Sequence, residues 1–131
     1  MKKITLIILL ATLISCNLTI TNSGSLVMET TNDKIELQAN RILEIVKAND
    51  NNIKNEIILE FPEMQKEILE GSSFRVRKMS IMDESTEATI IFVYSISGSD
   101  MAKSQEIIKS YENLILPILN KNGFQFKKRG T

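Results

Sequence analysis

The sequence predicts an α+β domain, and three observations lead there. Apolar residues recur at helical spacing from Asp33 to Ile68, alternate with a period of two from Ser73 to Ser97, and return to helical spacing from Met101 to Asn120. The 131 residues, 43% hydrophobic and 24% charged, have the composition of one globular domain.

The first helical pattern runs through Ile35, Ile42, Leu43, Ile45 and Val46, with Asn32 or Asp33 placed to cap it. Asn49-Asp50-Asn51-Asn52 predicts a break, because these side chains compete for the helical backbone. Ile53, Ile57, Phe61, Met64 and Ile68 form a second pattern. Pro62 interrupts it, so a kink or two short helices meeting at Phe61 are expected, and Gly71-Ser72-Ser73 ends the pattern. Ser73 to Met82 then alternates as a strand, Asp83 to Thr86 supplies a hairpin turn, and Glu87 to Ser97 is apolar on both faces, as a central strand is. Asp100 caps a long helix, Met101 to Asn120, in which Pro117 should kink the last turn; Asn122-Gly123 stops it. Phe124-Gln125-Phe126 alternates as a short final strand, returned beside the central one. The expected architecture is two or three N-terminal helical segments, a β-hairpin, a long helix and a short final strand, the small sheet covered by helices on one face.

The N-terminus is a different object. Met1-Lys2-Lys3 precedes eleven residues, Ile4 to Ile14, interrupted only by Thr5 and Thr12, and then Ser15-Cys16. A basic region, an apolar run and a small residue before the cut form a secretory signal. Eleven helical residues span only about 16 Å, too short for a bilayer core. Asn17 to Asn32 is rich in Asn, Thr, Ser and Gly, with Leu18, Ile20 and Leu26-Val27-Met28 as its apolar interruptions, and reads as a flexible tether reaching roughly 50 Å when extended. The expected division is 1–15 signal peptide, 16–32 modified cysteine and tether, and 33–131 a single domain.

Composition removes much chemistry. With no His and one Cys, the chain lacks His-based acid–base and triad catalysis, His metal ligation and an internal disulfide. Sixteen basic residues balance sixteen acidic ones, so no overall field points to nucleic acid. Ser72, Ser73 and Ser99 have no activating base, the five glycines form no phosphate loop, and Asp83-Glu84 is assigned to its turn. Glu60, Glu63, Glu67 and Glu70 fall along one helical stripe without the loop oxygens of a calcium site, and read as a solvated face open to a basic partner. No catalytic residue, cofactor or metal site is assigned.

One surface remains. If Phe74, Val76, Ile90, Phe92, Tyr94, Phe124 and Phe126 face the helices, the other sheet face carries Arg75, Arg77, Ile91, Val93, Gln125, Lys127 and Arg129. Arginine forks suit carboxylate, sulfate or phosphate, and the apolar middle suits a protein partner. The same pattern also describes a solvated face on which arginine stems cover Ile91 and Val93.

Leu13-Ile14-Ser15-Cys16 resembles the lipobox of bacterial lipoprotein precursors. The resemblance implies cleavage before Cys16 and acylation of its thiol, which becomes the membrane anchor. The layout of short lipobox signal, polar segment and chain rich in Ile, Lys and Asn is similar to small surface lipoproteins of spirochaetes, which implies display at the outer surface and binding to other proteins. Asn17 differs from the aspartate that retains enteric lipoproteins on the inner membrane. The expected function is non-catalytic binding at the cell surface, with a periplasm-facing assembly subunit as the alternative.

Overall fold

The computed structural model describes residues 19–80 and 86–129. Their elements run β1 (Ile20–Thr31), α1 (Ile35–Glu60), a 3-10 turn (Pro62–Met64), α2 (Gln65–Glu70), β2 (Ser72–Ser80), β3 (Glu87–Gly98), α3 (Met101–Lys121) and β4 (Lys127–Lys128). The sheet has the order β2-β3-β1-β4, every neighbouring pair antiparallel. The three helices pack on one face, so the α+β architecture stands.

The main correction concerns the segment read as a tether. Residues 20–31 form a twelve-residue strand paired with β3 from Ile20↔Gly98 to Thr31↔Glu87. Leu26 and Met28 turn inward and are buried, whereas Ser23 and Glu29 point outward. The domain thus begins at Ile20 among the described residues, before the expected boundary at 33. β3 pairs its backbone along the whole strand and β4 adds a second partner at Leu26 and Val27, so Asn, Ser and Thr suffice along it.

α1 is also continuous where a break was expected. Its buried positions Ile42, Val46, Asp50, Ile53 and Ile57 carry the apolar stripe straight through Asn49–Asn52. Asp50 accepts a 2.7 Å hydrogen bond from Tyr111 Oη and pairs with Lys54 Nζ at 2.8 Å, while Asn49 Nδ2 donates to the Ile45 carbonyl at 2.7 Å. The polar run therefore finds its partners within the helical conformation instead of competing with it. Neither Asn32 nor Asp33 caps α1; Lys34 occupies that position without a side-chain cap. Of the kink and the two helices expected at Phe61-Pro62, the structure has separate helices, Phe61 N–H closing α1 on Ile57 O at 2.8 Å. Asp100 caps α3 by accepting from Lys103 N–H at 3.0 Å.

The chain end departs from expectation in two ways. Phe124 and Phe126 are buried, but lie before the strand; β4 is Lys127–Lys128. Gly123 (φ +90°) turns the chain out of α3 in a conformation that favours glycine. Phe126 N–H is then held by Asn120 Oδ1 at 3.2 Å, and Arg41 stands 5.4 Å over the Phe124 ring. β4 pairs with β1, not with β3. The two places beside β3 are taken by β2 and β1.

At the centre, Tyr94 of β3 stacks on Tyr111 of α3 with ring centroids 3.7 Å apart and planes inclined by 8°. Both are fully buried, and Tyr111 carries the bond to Asp50, so one side chain joins the sheet to both long helices. Tyr94 Oη makes no hydrogen bond; Ser72, nearby, donates its hydroxyl to the Ile68 carbonyl. The two tyrosines should respond differently to loss of the hydroxyl. Tyr111→Phe is expected to destabilise by about 1–3 kcal/mol, because it strips a bond from a buried carboxylate, whereas Tyr94→Phe should change stability by less than about 0.5 kcal/mol or raise it. Urea unfolding midpoints at constant slope measure both.

Candidate binding face

The face of the sheet away from the helices gathers all six side chains singled out for partner binding. The register places them in two parallel rows. One reads Arg77, Ile91, Val27, Lys127 across β2, β3, β1 and β4. The other reads Arg75, Val93, Ser25 across the first three strands and reaches Arg129, whose N–H donates to Ser25 O at 3.3 Å. Each row has an apolar or small centre and a cation at either end. With strands about 4.8 Å apart, the end cations of a row stand about 14 Å apart at their Cα atoms.

Arg75, Arg77, Lys127 and Arg129 are exposed. Ile91 and Val93 are only 7% and 8% exposed, although they stand apart from the helix-side core and none of the described helices lies over them. In register they stand beside Arg77 and Arg75 of β2, whose aliphatic stems are long enough to lie over them. The solvated reading and the binding reading therefore describe one arrangement: a preformed frame of cations over an apolar floor. Gln125 lies before β4 and is exposed. Sequence reasoning missed Val27 and Ser25, which complete the rows.

The acidic stripe does not survive folding as a single face. Phe61-Pro62 ends α1 after Glu60, and the remaining three carboxylates belong to the 3-10 turn and α2. Glu63 pairs with Lys103 at 2.8 Å, and this bond holds its carboxyl below the ordinary range. Glu60 accepts from Ser110 at 3.5 Å, and Glu67 places Oε2 out of solvent without a partner.

A second carboxyl escaped the sequence reading. Glu112 of α3 is 8% exposed and lies over Gly24 of β1, where a Cβ would run into its carboxylate and into Ile108. Glycine at 24 is what lets α3 approach β1 here. The signal was available: Glu112 sits four residues after Ile108 and three before Ile115, on the buried stripe. Asp50 occupies the same kind of position in α1. Cys16, Asp83 and Glu84 lie outside the described residues. Among those described, no helix is long and apolar enough to cross a membrane, and no cluster of three His, Cys, Asp or Glu side chains is placed to hold a metal.

Two outcomes follow from this geometry. Burial holds the Glu112 carboxyl above its ordinary 4.5, against the pull of Lys128. The folded chain thus binds this proton more tightly than the unfolded chain, and the stability linked to it is present below 4.5 and lost as pH rises through the raised value. Glu112→Gln should therefore gain on the parent chain in urea unfolding between about pH 4 and about pH 7. A difference that stays constant over that range would contradict the assignment. On the open face, Arg77→Ala should cost about 0.5–1 kcal/mol by exposing Ile91, while Arg77→Met, which keeps a stem, should cost less than half of that.

No family model matches the chain, and no curated protein matches it. Among solved structures it is similar to a de novo designed protein with a ferredoxin fold, at 19% identity over 83% of this chain and 82% of that one, with a TM-score of 0.43. It is also similar to an amidase of the hydantoinase/carbamoylase family from Burkholderia multivorans, at 12% identity over 85% of this chain and a TM-score of 0.39. AtUAH in complex with glyoxylate is matched at 12% identity over 86% of this chain, with a TM-score of 0.37. The chain spans 27% and 28% of the lengths of those last two proteins.

Proposed function

We propose that this chain is a bacterial lipoprotein, anchored through acylated Cys16 and displayed at the cell surface, that acts by binding and without catalysis. Its recognition surface is the open sheet face, and the partner is a protein presenting acidic groups around an apolar centre. The observation that carries this reading is the pair of rows, each with a cation at both ends of an apolar or small centre. Arginine at the rim and aliphatic groups at the centre are the composition of a protein-binding patch.

The strand that replaced the expected tether changes the mechanics of display. Ile20 begins β1 four residues after Cys16, so the anchor lies within about 14 Å of the sheet. The domain is held against its membrane, and two or three acyl chains make that attachment durable. Confinement raises the local concentration of the face toward anything on the same surface.

The anchor and the face are tested separately. Cys16→Ala should move the protein out of the membrane fraction and remove the acyl mass; retention of both would refute the anchor. Protease added to intact cells should cut the domain, and full protection would favour the periplasm-facing alternative. A photo-crosslinker at Ser25, amid the rows, should capture a partner that one at Leu37 of α1 does not, and Arg75→Ala with Arg77→Ala should reduce that capture at least about tenfold, the factor equivalent to 1.4 kcal/mol. Equal capture from both positions would remove the face from the account.

A further inference from the structure

The formal charge of the chain is zero, yet folding separates the charges by layer. The four strands and Arg129 carry six cations against Glu29 and Glu87. The helical segments 32–71 and 99–123 carry twelve carboxylates against eight cations. The sheet thus holds a surplus of four positive charges and the helical layer a surplus of four negative ones. Lys78 and Lys128 turn to Glu36 and Asn113 of the helices, which leaves Arg75, Arg77, Lys127 and Arg129 on the open face with Glu29 and Glu87.

The helical layer also offers a receptor for a cation. Between α1 and α3 runs a groove of about 330 Å³, walled by Glu56 and Glu60 on one side and by Ser110 and Asn113 on the other, over Ile57 and Leu114. Glu56 has no ion-pair partner among the described residues, and Glu60 has only its long bond from Ser110. An arginine needs apolar footing for its stem and carboxylates for its fork, and the groove supplies both. Arg75 and Arg77 stand exposed on the sheet of the same chain.

We propose that the occupant of the open sheet face is a second copy of this chain, seated through its α1–α3 groove, with Arg75 or Arg77 entering between Glu56 and Glu60. The proposal rests on the reading that the open face binds, and it names the partner. The two surfaces are different, so each copy meets one neighbour with its sheet and another with its helices, and the contact propagates in a row instead of closing as a two-fold dimer. An anionic bilayer would also attract the four rim cations. The groove is the better match because it pairs apolar footing with charge and belongs to the layer that carries the compensating surplus.

Sedimentation equilibrium of the full chain carrying Cys16→Ala, so that no acyl chain drives association or flotation, tests this against two charge-reversed versions of that parent, Arg75→Glu with Arg77→Glu and Glu56→Lys with Glu60→Lys. Far-ultraviolet circular dichroism and unfolding midpoints establish that both are folded. The parent chain should associate with rising concentration, and its apparent dissociation constant should rise at least about tenfold between about 0.1 M and about 1 M salt, where the Debye length falls from about 10 Å to about 3 Å. Each reversed chain alone should be monomeric. Mixed, they should associate again, because the intact face of one meets the intact groove of the other and the two reversed surfaces also oppose unlike charges. A monomeric parent chain, association that persists in either reversed chain, or failure of the mixture to pair overturns the proposal. A monomeric parent that floats with anionic vesicles and loses flotation with Arg75→Glu and Arg77→Glu makes lipid the occupant; self-association is then wrong while binding by the face survives. A monomeric parent with no capture from Ser25 removes both.

Discussion

The ladder between β1 and β3 is the constraint on which the rest of this structure depends. It pairs twelve residues of each strand, and each of its two strands takes a further neighbour, β4 beside β1 and β2 beside β3. Without β1 the sheet would shrink to the β2–β3 hairpin, which is marginal by itself in water, and β4 would have nothing to pair with. Leu26 and Met28 would leave the core, and both rows of the open face would lose their third member. The short distance from Cys16 to the domain is a property of the same strand.

The helical layer is fixed to that ladder through one aromatic column. Tyr94 belongs to β3, Tyr111 stacks on it from α3, and Asp50 of α1 accepts the Tyr111 hydroxyl. Lys54 supplies the countercharge one turn further along α1, so the buried carboxylate is both hydrogen-bonded and paired. Burial and the Asp50 acceptor both push the Tyr111 hydroxyl above its ordinary range, which keeps it a donor. A polar joint of this kind fixes the relative position of α1, α3 and β3 more narrowly than apolar contact alone. The same joint explains why α1 does not break.

Where side-chain periodicity determines structure, the sequence was readable. The alternation from Phe74 to Arg77 and from Ala88 to Ile96 set the two faces of β2 and β3 correctly, and with them Arg75, Arg77, Ile91 and Val93. Pro62 and Asp100 marked a helix break and a cap by local chemistry. What was not readable came from tertiary partners. β1 has few apolar side chains of its own and exists because β3 pairs its backbone from end to end, with β4 adding to it at Leu26 and Val27, so a polar stretch looked like a tether. Asn49–Asn52 looked like a break because Tyr111, 61 residues beyond Asp50, was not visible as its partner. Phe124 and Phe126 showed burial correctly, but Gly123 and Asn120 shape that segment as a turn. Of the open face, the β2 and β3 members were legible from parity, while Val27 and Ser25 became members only once β1 was known.

Amide hydrogen exchange along residues 20–31 of the full chain, read beside β3, shows whether this segment is a strand of the sheet. The amides of Leu26, Val27 and Met28 should exchange as slowly as those of Ile90, Ile91 and Phe92, since both strands open only when the sheet does. Exchange of residues 20–31 at the rate of an unprotected peptide, with β3 still protected, would return this segment to a tether and dissolve both rows of the open sheet face.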